Sequence, residues 1–351
     1  MKNVKKTFTT ISILLVITIL LSACGANETP STSSPETPDV SSAPVDTGLS
    51  MPETTRLSFG TASIGGVSYL FGSTLSQVLN NGVENLEISP EVTGGPVVNI
   101  GLLQSGQIEI GHVTDSTSYE AFHGTEWAEG DASPDIRGLF PTYPSAFQAF
   151  AIKGKGINKF SDLSGKVVGY GPAGSSGDVV GHNVFRVLGI TPKQDQLLGW
   201  ADVIGNMKDD IIEAAVDVGG FPHNSRLELE ATHDIQFLTL TDEEIAKIQE
   251  EYPYYILGSI PAGTYKDLKE DYNTLFIWNE VICNKSLDDD VAYMLTKAAF
   301  ELQPSVAEGH VGGKTMLAEN VSAITIPLHP GAIKYYEEIG IELEDWHFPK
   351  D

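Results

Sequence analysis

The sequence predicts an α/β protein whose chain closes two lobes around a small polar ligand. From Arg56 to the C-terminus, roughly 295 residues alternate β-type apolar runs with helical patterns, which suits one or two α/β lobes. Three strand-to-helix joins are rich in Gly, Ser and Thr. Their spacing puts two in one lobe and the third in another, which is the arrangement of a clamp.

The first residues address the chain to a membrane. Lys2, Lys5 and Lys6 precede the apolar stretch "ISILLVITILL", and Leu21-Ser22-Ala23-Cys24 follows. A basic start, a short apolar core and small residues before a cut site make a secretory signal over 1–23. The apolar stretch is shorter than the ~20 residues that span a bilayer. "LSAC" resembles a bacterial lipobox, in which Cys24 is lipidated. The bland alternative is a plain signal peptide with a chance cysteine. With Cys24 lipidated, Cys283 is alone, and its apolar setting "LFIWNEVICN" predicts a buried, inert thiol. Residues 24–55 are Ser, Thr, Pro and acids with almost nothing to bury, the composition of a disordered tether.

The three turns come next. "FGTASIGGVSYLFG" (59–72) is a strand end, a turn and a helix start, with Gly60 and Gly65 at the spacing of a phosphate cradle. "LEISPEVTGGPVVNIGLLQSGQIEIGHV" (86–113) gives a strand, the turn Thr93-Gly94-Gly95, and a helix with Pro96 at its first position. Gly106 ends that helix, "IEIGHV" is a strand, and Asp115 or Ser116 is expected to cap the helix that follows. "KVVGYGPAGSSGDVVGHNVFRVLGI" (166–190) repeats the plan, with Val167 and Val168 in the strand and Gly171–Gly177 as the turn. Such joins present free backbone N–H groups and a positive helix end, which suit carboxylates or phosphates.

Several chemistries are excluded. Gly66 and Val67 stand where a nucleotide-binding loop carries Lys and Ser/Thr, and no G-x-G-x-x-G occurs, so no nucleotide cofactor is expected. The eight histidines show no metal-ligand spacing, and each reads as structural. "GSSGD" (174–178) has Asp178 where a serine-hydrolase elbow needs Gly, and the acids Asp115, Asp178, Glu213 and Asp217 form no evident dyad. No catalytic role is assigned. The acidic run "TDEEIAKIQEE" reads as a solvated helix face. Arg56, Arg137, Arg186 and Arg226 are the only arginines, and surface ion pairing is the expected role of each. A net charge of −26 repels nucleic acid and bare anionic membrane.

The ordered set of motifs resembles a family. "GTASIGGVSYLFGSTLSQVL" is similar to the G-T-G-S-x-G-G-x-Y start of the TAXI-type solute receptors of TRAP transporters. "EVTGGPVVNIGLLQSGQIEIGHV", "GYGPAGSSGDVVG", "VGGFP" (218–222), "YPYYILGSIPAGTY" (252–265) and "PLHPGAIKYYEEIG" (327–340) match later segments in the same order. The likeness covers essentially everything after the tether.

It implies a two-lobed, periplasmic-binding-protein-like fold of type II, with lobe I over 56–150 plus 270–351 and lobe II over 151–269. The implied function is that of an extracytoplasmic, membrane-anchored receptor that captures a small organic anion of the glutamate, dicarboxylate or 2-oxo acid class. Its partners would be the TRAP membrane subunits. Matched position by position, the ligand residues would be Thr61, Ser63, Gly65, Gly66, Tyr69, Thr93, Gly94, Gly95, Asn99, Ser175, Gly220 and Phe221, with Pro222 beside them. Asp115, Ser176 and Gly177 join them from the neighbouring turns.

Three departures touch specificity. Pro96 replaces the family's Ser after T-G-G. Gly174-Ser175-Ser176-Gly177 shifts a hydroxyl by one place, and Asp115-Ser116 exchanges an order. Each lost or moved donor in a dry cleft is worth about 1–3 kcal/mol. A sensory lipoprotein signalling to a membrane kinase and an exported hydrolase are the rival readings.

Overall fold

The first strand, β1 (Leu49–Gly60), starts well before Arg56, inside the segment expected to be tether. Leu49 and Met51 alternate inward and are buried, and the strand pairs with β2 (Val83–Glu91) from Leu49↔Val83 onward. Pro52, which lacks an N–H, falls in the register irregularity between Ser50 and Thr55, where a missing donor costs least. Two alternating apolar residues were enough to add a strand end to a composition that otherwise reads as linker. The computed structural model describes residues 47–350; the leader, Cys24 and the rest of the tether lie outside the described residues.

Between β1 and β2 runs α1 (Val67–Gly82), followed by α2 (Pro96–Gln104), β3 (Ile110–Thr114) and α3 (Asp115–His123). The long strand β4 (Ile136–Ile152) leads to β5 (Val167–Gly171), α4 (Ser176–Leu188), β6 (Gln194–Leu197), α5 (Trp200–Lys208), β7 (Ala214–Gly219) and α6 (Asn224–Glu230). β8 (Ile235–Phe237), α7 (Asp242–Glu251), β9 (Ile256–Ile260) and the long strand β10 (Tyr272–Asn284) precede the closing helices α8 (Asp289–Glu301), α9 (Gln303–Gly309) and α10 (Pro330–Glu338).

The sheet order is β2–β1–β3–β10–β4–β7–β5–β6, with β8 against β4 and β9 against β10. β10 gives Asn279–Cys283 to β3 but Tyr272–Phe276 to β9, and β4 gives Ala146–Ala151 to β7. Each long strand therefore serves both parts of the sheet. Register irregularities in the β10–β4 pair lie between Trp278 and Glu280 and between Val281 and Ile282. There Asn279 Nδ2 donates to the Tyr143 carbonyl at 2.7 Å and to Ser145 Oγ at 2.8 Å.

Buried apolar side chains gather on either side of that point. One cluster draws on β1–β3, α1, α2, β4 up to Tyr143, β10 from Val281 and the closing helices. Two more, on opposite faces of the second part of the sheet, use only residues from Ala146 to Ile277. The first cluster is the core of one lobe and the two that flank the second part of the sheet together form the core of the other, which makes the fold two-lobed, as the sequence predicts. β7 is covered on both faces, which is why "AAV" reads as an unbroken apolar run.

Local chemistry sets the helix ends. Ser175 Oγ accepts from Asp178 N at the start of α4, and Thr241 with Glu244 forms a capping box on α7. Neither Asp115 nor Ser116 caps α3. Thr114 holds the N-cap position, while Asp115 is already helical and accepts from Ser116 N at 2.6 Å. Cys283 is fully buried, and burial pushes its thiol upward, in keeping with the inert thiol expected. Arg56 pairs with Glu87 at 2.8 Å and Arg186 with Glu251 at 2.6 Å, both as expected.

Three acids are buried around α3. Burial pushes Glu280 up to about 8, opposed by the hydrogen bond it accepts from Ser118 Oγ, and pushes Glu120 up to about 8. Asp115 is raised by burial and then by Glu280. A folded-state value above the unfolded one means that the native chain holds the proton longer. The associated stability is complete below about 4.5 and is lost as the pH rises toward 8. Buried histidines such as His112, lowered to about 3, and His310, lowered to about 4, act in the opposite sense, so the test is a difference. Thermal melts of Glu280→Gln, which keeps the acceptor for Ser118, should gain on the unaltered protein progressively from about pH 5 to about pH 8; a difference that stays constant with pH would refute the assignment.

Candidate functional site

The first and third turns meet the second across a small cavity of about 60 Å³. The first supplies Ser63 and Gly66, the second Gly94, Gly95 and Pro96, and the third Ser175, Ser176 and Gly177. The floor is Asp217, Gly219 and His223, with Trp200 beside them. The approach is backbone to backbone. Val97 N donates to the Gly174 carbonyl at 3.2 Å. A Cβ at Gly95 would stand 3.2 Å from Ser175 Cα, and one at Gly174 would stand 3.1 Å from Val97 Cβ. Both glycines have positive φ, 118° and 75°, so their conformation and their crowding both require glycine.

That contact changes what the turns can offer. Helices leave their first N–H groups without intrahelical partners. In α1, no side chain caps the start, which leaves the N–H groups of Val67 and Ser68 beside the cavity. In α4, Ser175 Oγ satisfies Asp178 N and leaves those of Ser176 and Gly177. A Cβ at Gly177 would stand 2.4 Å from the Tyr170 carbonyl oxygen, so the chain passes there only as glycine. The second turn keeps the Gly94 N–H on the cavity but has used or lost its other donors there. Pro96 has no N–H, Val97 N is used on Gly174, Thr93 N donates to Ala62 O and Gly95 N to Thr93 Oγ1. The cavity therefore faces two helix starts rather than three, each with a partial positive charge from its dipole.

The remaining expected site residues divide into supports and outliers. Thr61 is buried and donates through Oγ1 to the Glu91 carbonyl at 2.7 Å. Thr93 Oγ1 donates to the Thr61 carbonyl at 3.1 Å. Asn99 Nδ2 donates to the carbonyl oxygens of Gly60, Thr61 and His112 at 3.1, 2.8 and 2.8 Å. These three hold turns together and do not line the cavity. Gly65 is exposed with φ 84° and shapes the first turn, while Tyr69 is half-buried on α1 outside the cavity wall. Gly220 and Phe221 line a separate apolar cavity of about 280 Å³ with Tyr143, Pro144 and His310. Asp115 lines a third cavity with Tyr254 and Trp278. Asp115 follows β3, which lies between β1 and β10, and it faces the β10 side, where Ser118 of the same helix meets Glu280.

The floor holds what the sequence did not reveal. Along β7, Ala215 and Asp217 share the face covered by α5 and α6, which places Asp217 against Arg226 of α6. Arg226 is only 1% exposed, not on the surface as expected. Its Nη2 donates to Asp217 Oδ2 at 3.2 Å, and its Nη1 donates to Tyr265 Oη at 2.8 Å and to Gln148 Oε1. It also lies 4.3 Å over the Phe150 ring. His223 N donates to Tyr265 Oη at 2.9 Å, and burial lowers the His223 imidazole so that it stays neutral. An acid inside the apolar run "AAVDVGG" was the available signal; a strand pattern alone does not say which helix supplies the counter-charge.

A family model described as the NMT1-like family matches residues 59–340. The chain belongs to the NMT1-like family. The match starts at the end of β1 and runs past α10, so it spans both lobes and all three turns. Among solved structures, this NMT1-like chain is similar to the periplasmic binding protein BugD, at 12% identity and a TM-score of 0.48, over 82% of this chain and 99% of that one. It is also similar to the periplasmic aliphatic sulphonate binding protein SsuA from Escherichia coli, at 14% identity and a TM-score of 0.43, over 82% and 79%. A putative L-cystine ABC transporter protein from Listeria monocytogenes matches at 11% identity and a TM-score of 0.45, over 74% and 97%. Among the described residues no helix is long and apolar enough to cross a membrane.

Asn99 separates support from ligand contact. Asn99→Ala removes an NH2 group whose two N–H bonds are shared among three carbonyl oxygens and should cost about 2 kcal/mol of stability. Urea unfolding measures this. A loss below about 0.5 kcal/mol would show that Asn99 does not hold the turns.

Proposed function

We propose that this NMT1-like chain is an extracytoplasmic receptor that captures a small organic anion and delivers it to a membrane transporter. The observation that supports it best is a pair of helix starts, the uncapped start of α1 from one core and the first turn of α4 from the other, where Ser175 caps only Asp178 N; the N–H groups left over border one cavity. No unpaired cationic side chain lines that cavity among the described residues, so backbone N–H groups are the main anion receptor, helped by hydroxyls such as those of Ser63 and Ser176. The ligand class is that of glutamate, dicarboxylates and 2-oxo acids, and the partner is a TRAP-type permease, as the TAXI-like motifs suggest. The lobes divide inside β4 and β10, near Asn279, so that closure swings the third turn onto the second. Cys24 carries the lipid anchor, and the segment after it lets the globule stand off the membrane. The role is capture, not catalysis.

The α4 start can be tested without disturbing the fold. Ser176 is the first helical residue, where proline is tolerated, and Ser175 has the extended conformation that a following proline requires. Ser176→Pro deletes one N–H, and Ser176→Ala controls for the hydroxyl. Titration calorimetry of the mature protein with glutamate, succinate and 2-oxoglutarate should find at least one that binds. Ser176→Pro should weaken that binding about 10- to 100-fold beyond the Ala variant, the scale of a hydrogen bond to a charged group. Binding only of neutral, bulky solutes would defeat the anion reading.

A further inference from the structure

We propose that Asp217 makes this receptor select α-amino acids, in their zwitterionic form, over 2-oxo acids and dicarboxylates of the same length. The inference rests on the anion-receptor reading above and narrows its ligand class. Asp217 lines the cavity between the turns yet is only 3% exposed, so whatever meets it there meets it out of bulk water. Its two oxygens are not equivalent. Arg226 takes Oδ2. Among the described residues no hydrogen bond reaches Oδ1, and Oδ1 is not one of the partnerless polar atoms sealed from solvent. With Arg226 and, at 3.9 Å, His223 Nε2 both on Oδ2, Oδ1 is the oxygen left to a ligand in the cavity that Asp217 lines.

The geometry behind Asp217 keeps it in place. Arg226 is held from the far side by Tyr265 and Gln148, so the guanidinium cannot swing forward to meet an incoming anion. The cavity then offers acceptor character at its floor and donor character at the two helix starts. An α-amino acid answers both, with its carboxylate on the N–H groups and its ammonium on Asp217 Oδ1. A 2-oxo acid brings a second acceptor to an acceptor, and a dicarboxylate brings a second negative charge. Each leaves a buried oxygen without its hydrogen bond, the situation in which binding sites reject analogues most strongly.

Matched pairs test this on the unaltered protein. Titration calorimetry compares alanine with pyruvate, glutamate with 2-oxoglutarate, and glutamate with glutarate. In every pair that binds, the amino acid is expected to be at least about tenfold tighter. A 2-oxo acid or dicarboxylate that matches or exceeds its amino partner overturns the inference while leaving the anion receptor standing. No binding by any of them overturns both.

Asp217→Asn keeps the shape and removes the charge. It should cost the amino acids about 10- to 100-fold in affinity and leave the deaminated partners unchanged or tighter. Equal losses for both would show that Asp217 acts only by holding Arg226, and would overturn the inference. If the unpaired Arg226 prevents this variant from folding, the pairs on the unaltered protein decide alone.

Discussion

The hydrogen bond from Val97 N to the Gly174 carbonyl governs the rest of the site. It joins a helix start built on one core to a turn built on the other. It forms only because neither Gly95 nor Gly174 carries a side chain. Once made, it consumes the donor that Pro96 has already made scarce, and it draws the starts of α1 and α4 to one cavity above β7. The second turn thereby becomes a clasp, and the cradle is left to the other two.

Charge is handled in the same economical way. The floor carries a carboxylate and a guanidinium that neutralise one another while an aromatic ring and two polar side chains hold the cation back. Removing either partner of such a buried pair is expensive, whereas the intact pair is close to neutral in stability. Its effect is orientation, since Arg226 holds one carboxylate oxygen, Oδ2, and fixes the side chain at the cavity floor. Elsewhere the two lobes touch through polar side chains. Glu120 of α3 accepts from Asn183 of α4 at 2.9 Å and from Tyr254 at 3.3 Å, and Arg186 reaches Glu126 at 3.2 Å.

Much of this was legible in the residues. The alternation of strands and helices, the three Gly-rich joins, Pro96 at a helix start and Cys283 as a buried thiol all follow from local rules of spacing, capping and burial. Family motifs singled out the residues of the turns. What they did not separate is contact from support. Thr61, Thr93 and Asn99 bond to backbone carbonyls, and Asp115 turns with α3 toward a different cavity. Leu49 and Met51 look like stray apolar residues in a linker until β2 lies alongside them to pair.

The sequence by itself pointed to backbone N–H groups at helix starts, because glycine-rich joins without a P-loop lysine expose those groups and supply no cationic side chain. It also determined the two-lobed α/β plan, because periodicity and turn chemistry are written residue by residue. Only the tertiary structure decided which of those N–H groups stay free, and that Arg226 is buried behind Asp217. Both depend on what lies across a gap between segments far apart in the chain. A hydrogen bond such as Val97 to Gly174, or an ion pair between neighbouring elements such as β7 and α6, has no local signature. It exists only when packing has brought its two ends together.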